Sequence, residues 1–183
     1  FMSPPYTGPQ ALAKVEVLAN KLSVQQKYMK MWVVELTAIQ EMYRDRAPAE
    51  QLVLLYRRSM FRIADELAAR KRHGALVTGE NLGQVASQTL PNLHVIANVA
   101  TRPVLRPLVT YDKHEIISLA VKIDTYETSI LPYEDCCSLF VPKHPELKGR
   151  LSILERLEEE LDPLPLEARA LEQATLLEFP SKG

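Results

Sequence analysis

Residues 75–89 (ALVTGENLGQVASQT) constrain the fold more than any other stretch. Ala75 to Thr78 have strand character and run into Gly79, and the small and amide residues that follow read as the opening of a helix. A strand that ends on glycine and feeds a helix is the joint of a βαβ unit, so the pattern predicts an α/β protein. Gly79 and Gly83 would let a phosphate or a purine edge approach main-chain N–H groups at the helix N-terminus. Gln84 and Gln88, four apart, would share one helical face and donate or accept without adding charge. An ordinary βα turn would show the same pattern, so the spacing alone leaves the choice open.

Helices and strands alternate around this joint. Pro9 fits a first helical position, and Leu12, Val15, Leu18, Ala19 and Leu22 recur at helical spacing behind it. Met31 to Leu36 is a β-branched apolar run that reads as a buried strand, with Trp32 in the core, and residues 38–45 read as a short helix. Leu52 to Tyr56 reads equally as a strand or as the first turn of a helix, which Met60, Ile63, Ala64 and Leu67 then continue. Asp112 with Glu115 three residues on is a capping box for a helix through Lys122. The alternation predicts a Rossmann-like, mainly parallel sheet with helices on both faces. Ligands in such sheets sit at the carboxyl ends of strands, where Gly79 stands. Beyond Gly149, Leu151, Leu154, Leu157 and Leu161, then Leu166, Ala170, Leu171, Ala174 and Leu177, predict two amphipathic helices broken at Asp162–Pro165. The chain thus divides into residues 1–149 and a helical tail, residues 150–183.

A chain of 183 residues, 46% hydrophobic and 25% charged, is long enough to bury one core. No run of eighteen apolar residues is present and the N-terminus does not read as a signal or transit peptide, so no membrane partner is expected. A net charge of −1 gives no global nucleic-acid signature. Charge is uneven, however. Arg57, Arg58, Arg62, Arg70, Lys71 and Arg72 form a basic stretch, and Glu155, Glu158, Glu159, Glu160 and Asp162 an acidic one; each alone reads as a solvated helix face. Arg57 and Arg58 fall near a predicted helix start, where cations oppose the dipole and an anionic ligand would explain them. Arg102 and Arg106 are further loop cations that could meet a nucleic-acid phosphate, although ordinary surface arginines would read the same way.

The only two cysteines, Cys136 and Cys137, are adjacent in PYEDCCSLFVPKHP, residues 132–145. Vicinal thiols close only a strained ring, and two ligands leave a tetrahedral zinc site half built even if His144 joins. Glu134 and Asp135 would raise a neighbouring thiol pKa, so reactivity would need cationic help from Lys143 or Arg106. Unpaired cysteines point to a reducing, cytoplasmic setting.

Taken in order, TGENLGQVASQTL, VLRPLVTYDKHEII and ILPYEDCCSLFVPKHP resemble the tRNA 4-thiouridine synthase family, the ThiI-type tRNA sulfurtransferases, over residues 1–149. The resemblance implies the ATP-pyrophosphatase (PP-loop) fold. It also implies a reaction in which uridine 8 of tRNA is adenylated by ATP, with Mg2+, and AMP is then displaced by sulfur carried as a cysteine persulfide. Gly79 and Gln88 match family positions that contact ATP, Arg57 a basic position beside the nucleotide, and Phe1 an aromatic at the end of an earlier strand. Cys137 matches the sulfur carrier, since a small residue and an apolar pair follow it; Cys136 resolves the persulfide or is incidental. The implied partners are tRNA and a cysteine desulfurase, and whether the chain forms a homodimer stays open.

The family's phosphate loop, of the form Ser-Gly-Gly-x-Asp-Ser, does not occur in these residues, nor does its N-terminal tRNA-binding module. The chain is therefore expected to be the C-terminal part of a longer enzyme, inactive by itself. The family's second role, sulfur delivery for thiamine thiazole, is associated with a rhodanese-like domain for which 183 residues leave no room. Asp124 stands where the family has glycine, in a turn after the capped helix, and is expected to tolerate left-handed backbone there. The alternative reading is a non-catalytic nucleotide-binding or dimerisation remnant of the same fold.

Overall fold

The computed structural model describes residues 1–3, 9–26, 28–83, 85, 87–132 and 145–180. In chain order the elements are β1 (Met2–Ser3), α1 (Pro9–Gln26), β2 (Tyr28–Glu35), α2 (Thr37–Arg46), a 3-10 turn (Ala49–Gln51), α3 (Leu52–Lys71) and β3 (Leu76–Val77). There follow α4 (Leu90–Ala97), β4 (Val104–Leu105), α5 (Lys113–Lys122), α6 (Tyr126–Ser129), α7 (Leu151–Leu161), α8 (Leu164–Glu172) and β5 (Thr175–Pro180). The fold is mixed α/β.

Among the described residues the strands form two sheets rather than one mainly parallel sheet. In the first, β1 runs parallel to β2 with Met2 opposite Val34, while β5 runs antiparallel to β2 with Tyr28 opposite Pro180 and Val33 opposite Thr175. In the second, β3 and β4 are parallel, Leu76 opposite Val104. β5 corrects the helical tail. The second helix ends at Glu172, and Ala174 and Leu177, expected on its apolar stripe, lie in the turn and the strand that follow. Leu177 suits either period. Its strand spacing to Phe179 places both in a cluster with Ala19 and Met31, and the edge of β2 supplies the hydrogen-bonding partner that a strand requires.

α3 is the spine of the molecule. It begins at Leu52, which settles the ambiguous run: Leu52, Val53, Leu54, Leu55 and Tyr56 are all buried, so the helix shows no polar face from which a period could be read. Arg57 and Arg58 consequently lie within the helix, not at its start. The core around α3 joins Ile39 and Tyr43 of α2, Val95 and Ile96 of α4, Leu154 and Leu157 of α7, and Ala170 and Leu171 of α8. The Asp112–Glu115 capping box forms as expected, and Asp124 is left-handed at φ +56°, held by Lys21 of α1 through its carbonyl at 2.7 Å.

Arg58 and Arg62 of the basic stretch meet Glu158 of the acidic one rather than solvent, while the other members apart from Arg57 are exposed, as a solvated face predicts. Arg58 grips Glu158 with two parallel bonds of 2.8 and 2.7 Å; Arg62 reaches Glu158 at 2.8 Å and Glu167 at 2.7 Å, and Ser59 also donates to Glu167. Burial alone would lower the Arg62 pKa, but Glu167 and Glu158 outweigh it and hold the guanidinium well above its ordinary value. Trp32 is only half-buried, with the Lys71 ammonium 4.7 Å above its ring. Lower on α3, Asp65 accepts from the Thr101 hydroxyl (2.7 Å) and from Arg102 (3.1 Å), which ties the approach to β4 to the helix.

Glu167→Ala strips Arg62 and Ser59 of a buried acceptor and should cost about 3 kcal/mol, read as a lower urea midpoint at unchanged m-value. Burial pushes the Asp65 carboxyl up, but the bonds from Thr101 and Arg102 overcome that and hold it below its ordinary value. Its contribution is therefore complete above the unfolded carboxylate range, about pH 4, and is lost as pH falls from there through the lower folded value. In acid titrations of stability, Asp65→Asn should lose this part of the acid limb.

Candidate functional site

Gly79 lies just past the carboxyl end of β3, exposed, with nothing within 4 Å of where a Cβ would stand. The residues after it do not form the expected helix: those described between Glu80 and Thr89 are turn, and α4 starts at Leu90 with Thr89 as its N-cap. Pro91 has to occupy the first turn of that helix, and the side chains of Glu80 and Asn81 turn inward to bond other segments. Gln88 is therefore outside the helix, and Gln84 lies outside the described residues.

Glu80 is 3% exposed and receives three donors. Arg57 of α3 pairs with Oε1; Arg106, just past β4, donates from Nε to Oε2 at 2.6 Å, and the Thr78 hydroxyl donates to the same oxygen at 2.9 Å. Arg57 also reaches the Ser87 hydroxyl at 3.4 Å. Asn81, equally buried, donates from Nδ2 to the carbonyls of Leu108 (2.7 Å) and Tyr111. The Asn81 backbone N–H donates to Gln88 Oε1 at 3.2 Å, and the Gly83 N–H to the Gln88 carbonyl at 3.1 Å. An N–H can only donate, so the Gln88 oxygen must face Asn81, and the amide nitrogen, without a partner among the described residues, has its donors open.

The structure thus brings Arg57, Gly79 and Gln88 to one loop. Phe1 lies apart from it, in an apolar cavity of about 350 Å³ lined also by Leu18, Leu22, Trp32, Ile63 and Leu67. Its link to the loop is α3 itself, which carries both Arg57 and the Ile63–Leu67 wall. Arg102 and Arg106 are not free cations, since Asp65 and Glu80 hold them. Cys136 and Cys137, with Glu134, Asp135, Lys143 and His144, lie outside the described residues. No group of three or more His, Cys, Asp or Glu side chains able to hold a metal is found among the described residues.

Asn92 escaped the sequence reading although it is fully buried. Its Nδ2 donates to the Glu146 carbonyl at 2.8 Å and its Oδ1 accepts from the Gly149 N–H at 2.8 Å, while the Thr89 hydroxyl donates to the Leu147 carbonyl at 2.7 Å. The first turn of α4, directly after Gln88, therefore fixes residues 146–149. Gly149 has no room for a side chain, because a Cβ would meet Leu54 Cδ1 at 2.7 Å. A polar residue in an apolar helix face is the one sequence signal that could have marked Asn92.

An α/β protein with a cation-lined turn at the carboxyl ends of two parallel strands is what the fold and this loop define. The chain belongs to the ThiI family: the family model described as "Thiamine biosynthesis protein (ThiI)" matches residues 1–162. A protein of Limosilactobacillus fermentum named "Probable tRNA sulfurtransferase" is 46% identical over 179 residues, 98% of this chain and 44% of that protein. One of the same name from Listeria welshimeri is 47% identical over 173 residues, 94% of this chain and 43% of that protein. A crystal structure described as a 4-thiouridine synthetase–RNA complex with bound ATP superposes with a TM-score of 0.90 at 40% identity, covering 97% of this chain and 47% of that one. The chain spans less than half the length of these relatives.

Asn92→Ala would orphan the Gly149 N–H and the Glu146 carbonyl, and should cost about 2–3 kcal/mol in urea unfolding. A loss well under 1 kcal/mol would mean that residues 146–149 are held by other contacts.

Proposed function

We propose that the intact protein is an ATP-dependent tRNA sulfurtransferase that forms 4-thiouridine at position 8 of tRNA. The observation that carries this is the match of 97% of the chain, at a TM-score of 0.90, to a 4-thiouridine synthetase seen with RNA and ATP. ATP, with Mg2+, supplies the adenylyl group that turns O4 of uridine 8 into a leaving group. Gly79 offers exposed main chain, Gln88 its amide N–H groups and Arg57 a cation, three features that suit a nucleotide. Phe1 contributes an apolar wall further along α3. Cys137 carries the persulfide; its terminal sulfur attacks C4 of the adenylated uridine as AMP departs, and a second thiolate, that of Cys136 or, if Cys136 is incidental, of a thiol reductant, then attacks the Cys137 sulfur, which releases 4-thiouridine and leaves a disulfide for reduction. A cysteine desulfurase provides the sulfur, the reaction is cytoplasmic, and the family's description supports extending the sulfur transfer to thiamine thiazole synthesis. Among the described residues no helix is long and apolar enough to cross a membrane, so no membrane partner is invoked.

The same reading completes the fold. In it, the segment preceding Phe1 extends β1 along β2 and supplies a phosphate-loop strand between β1 and β3, which joins the two sheets into one Rossmann-like, mainly parallel sheet. The apolar cavities lined by Phe1 and Trp32 on one side and by Leu76 and Val77 on the other support this, as do the parallel directions within each pair, β1–β2 and β3–β4. Residues 1–149 then carry the chemistry, and residues 150–183 brace α3 and β2.

The test is sulfur transfer to tRNA by the full-length protein with ATP, cysteine and a desulfurase. Cys137→Ser should abolish 4-thiouridine formation while ATP binding persists. Full activity in both Cys137→Ser and Cys136→Ser would remove the persulfide role from this segment. An inactive wild type would point to the non-catalytic remnant, a nucleotide-binding or dimerising module.

A further inference from the structure

Two arginine–carboxylate clusters flank α3, and they differ in charge balance. Arg58 and Arg62 face Glu158 and Glu167, two cations against two anions, and the cluster is closed by Ser59. Arg57 and Arg106 face Glu80 alone, two cations against one anion. The first cluster is electrically complete. The second keeps one surplus positive charge beside the exposed main chain of Gly79.

The donors tell the same story. Arg57 is anchored at Nη2 by Glu80 and touches Ser87 at 3.4 Å from Nη1, and its Nε–H has no partner among the described residues. Arg106 is anchored at Nε by Glu80 and touches the Leu93 carbonyl at 3.4 Å from Nη2, so its Nη1 is likewise unpartnered among the described residues. Both guanidinium groups are largely buried, at 14% and 19% side-chain exposure, which fixes their direction. An arginine held by one edge and open at another is pre-organised for an anion, because its rotamer entropy is lost before the ligand arrives.

We propose that Glu80, an acid in a site for a polyanion, is the positioning residue of the nucleotide loop: it holds Arg57 and Arg106, one on each carboxylate oxygen, next to Gly79 so that their open N–H groups meet the polyphosphate. Both Glu80 oxygens are occupied, Oε1 by Arg57 and Oε2 by Arg106, and the Thr78 hydroxyl also donates to Oε2. Its charge is cancelled once over, so it steers the two cations without repelling the ligand. Arg106 becomes a second phosphate contact by the same geometry.

This inference rests on the ATP-dependent reading above, and the test separates the two. In the full-length protein, ATP binding by calorimetry and ATP KM and kcat for tRNA thiolation are compared for wild type, Glu80→Gln, Glu80→Asp, Arg57→Ala and Arg57→Ala/Glu80→Gln. A misplaced charge-assisted contact is worth about tenfold in affinity. Glu80→Gln should therefore raise ATP Kd and KM about tenfold with kcat little changed, and Glu80→Asp should recover part of the loss. In the double variant, Glu80→Gln should add only the part of its effect that acts through Arg106, so the two losses combine to less than their sum. Unchanged ATP affinity in Glu80→Gln, tighter binding, or losses that simply add in the double variant would overturn the assignment. If the wild type binds no ATP, it is the functional reading that fails. Should Glu80→Gln fold poorly, Arg106→Lys decides, with the same rise in KM expected and an unchanged KM against the proposal.

Discussion

Arg58 and Arg62 reach one way from α3 and Arg57 another, and each meets a carboxylate that the fold has buried. Neighbouring residues on a helix diverge by about 100°, so one short run of arginines can serve two faces. On one face Glu158 and Glu167 bring α7 and α8 against the helix; on the other Glu80 brings the loop after β3 and, through Arg106, the turn after β4. Breaking one partner of such a pair costs far more than the pair contributes against an apolar replacement, because a lone buried charge remains. The placement of the Gly79 loop therefore depends on electrostatics anchored in the spine of the core.

The geometry of the loop follows from that anchoring. Glu80 and Asn81 are consecutive, buried and hydrogen-bonded inward, yet Gly79 before them and Leu82 and Gly83 after them are exposed. Two inward side chains thus pin an outward turn and leave its main chain open at the carboxyl ends of β3 and β4. α4 begins directly after Gln88 and fixes residues 146–149 through Asn92 and Thr89, so the segment that follows the cysteine pair in sequence is fastened to the same corner. The nucleotide and sulfur functions proposed for the intact protein would then share one rigid support.

Much of this was legible in the sequence where the signal is local. The helix behind Pro9, the strand around Met31 and the capping box at Asp112 all depend on residues within a few positions of one another. The three motifs that carry the family resemblance did the same for identity. What failed was non-local. Leu52 to Tyr56 has no period because tertiary packing buries every side of it, and Leu177 joins a strand because β2 offers an edge far away in sequence. Arg58 and Glu158, a hundred residues apart, each read as solvated when seen only with their neighbours. Glu80 gave no sign of burial, since a glutamate after a loop glycine is ordinarily exposed; only the arrival of Arg57 and Arg106 explains it.

Hydrogen–deuterium exchange on the full-length protein, with and without a non-hydrolysable ATP analogue, tests the account most directly. Slower exchange at residues 79–88 and around Arg57 on nucleotide binding is the predicted result. Nucleotide binding that leaves these amides unchanged and protects only other segments would contradict it.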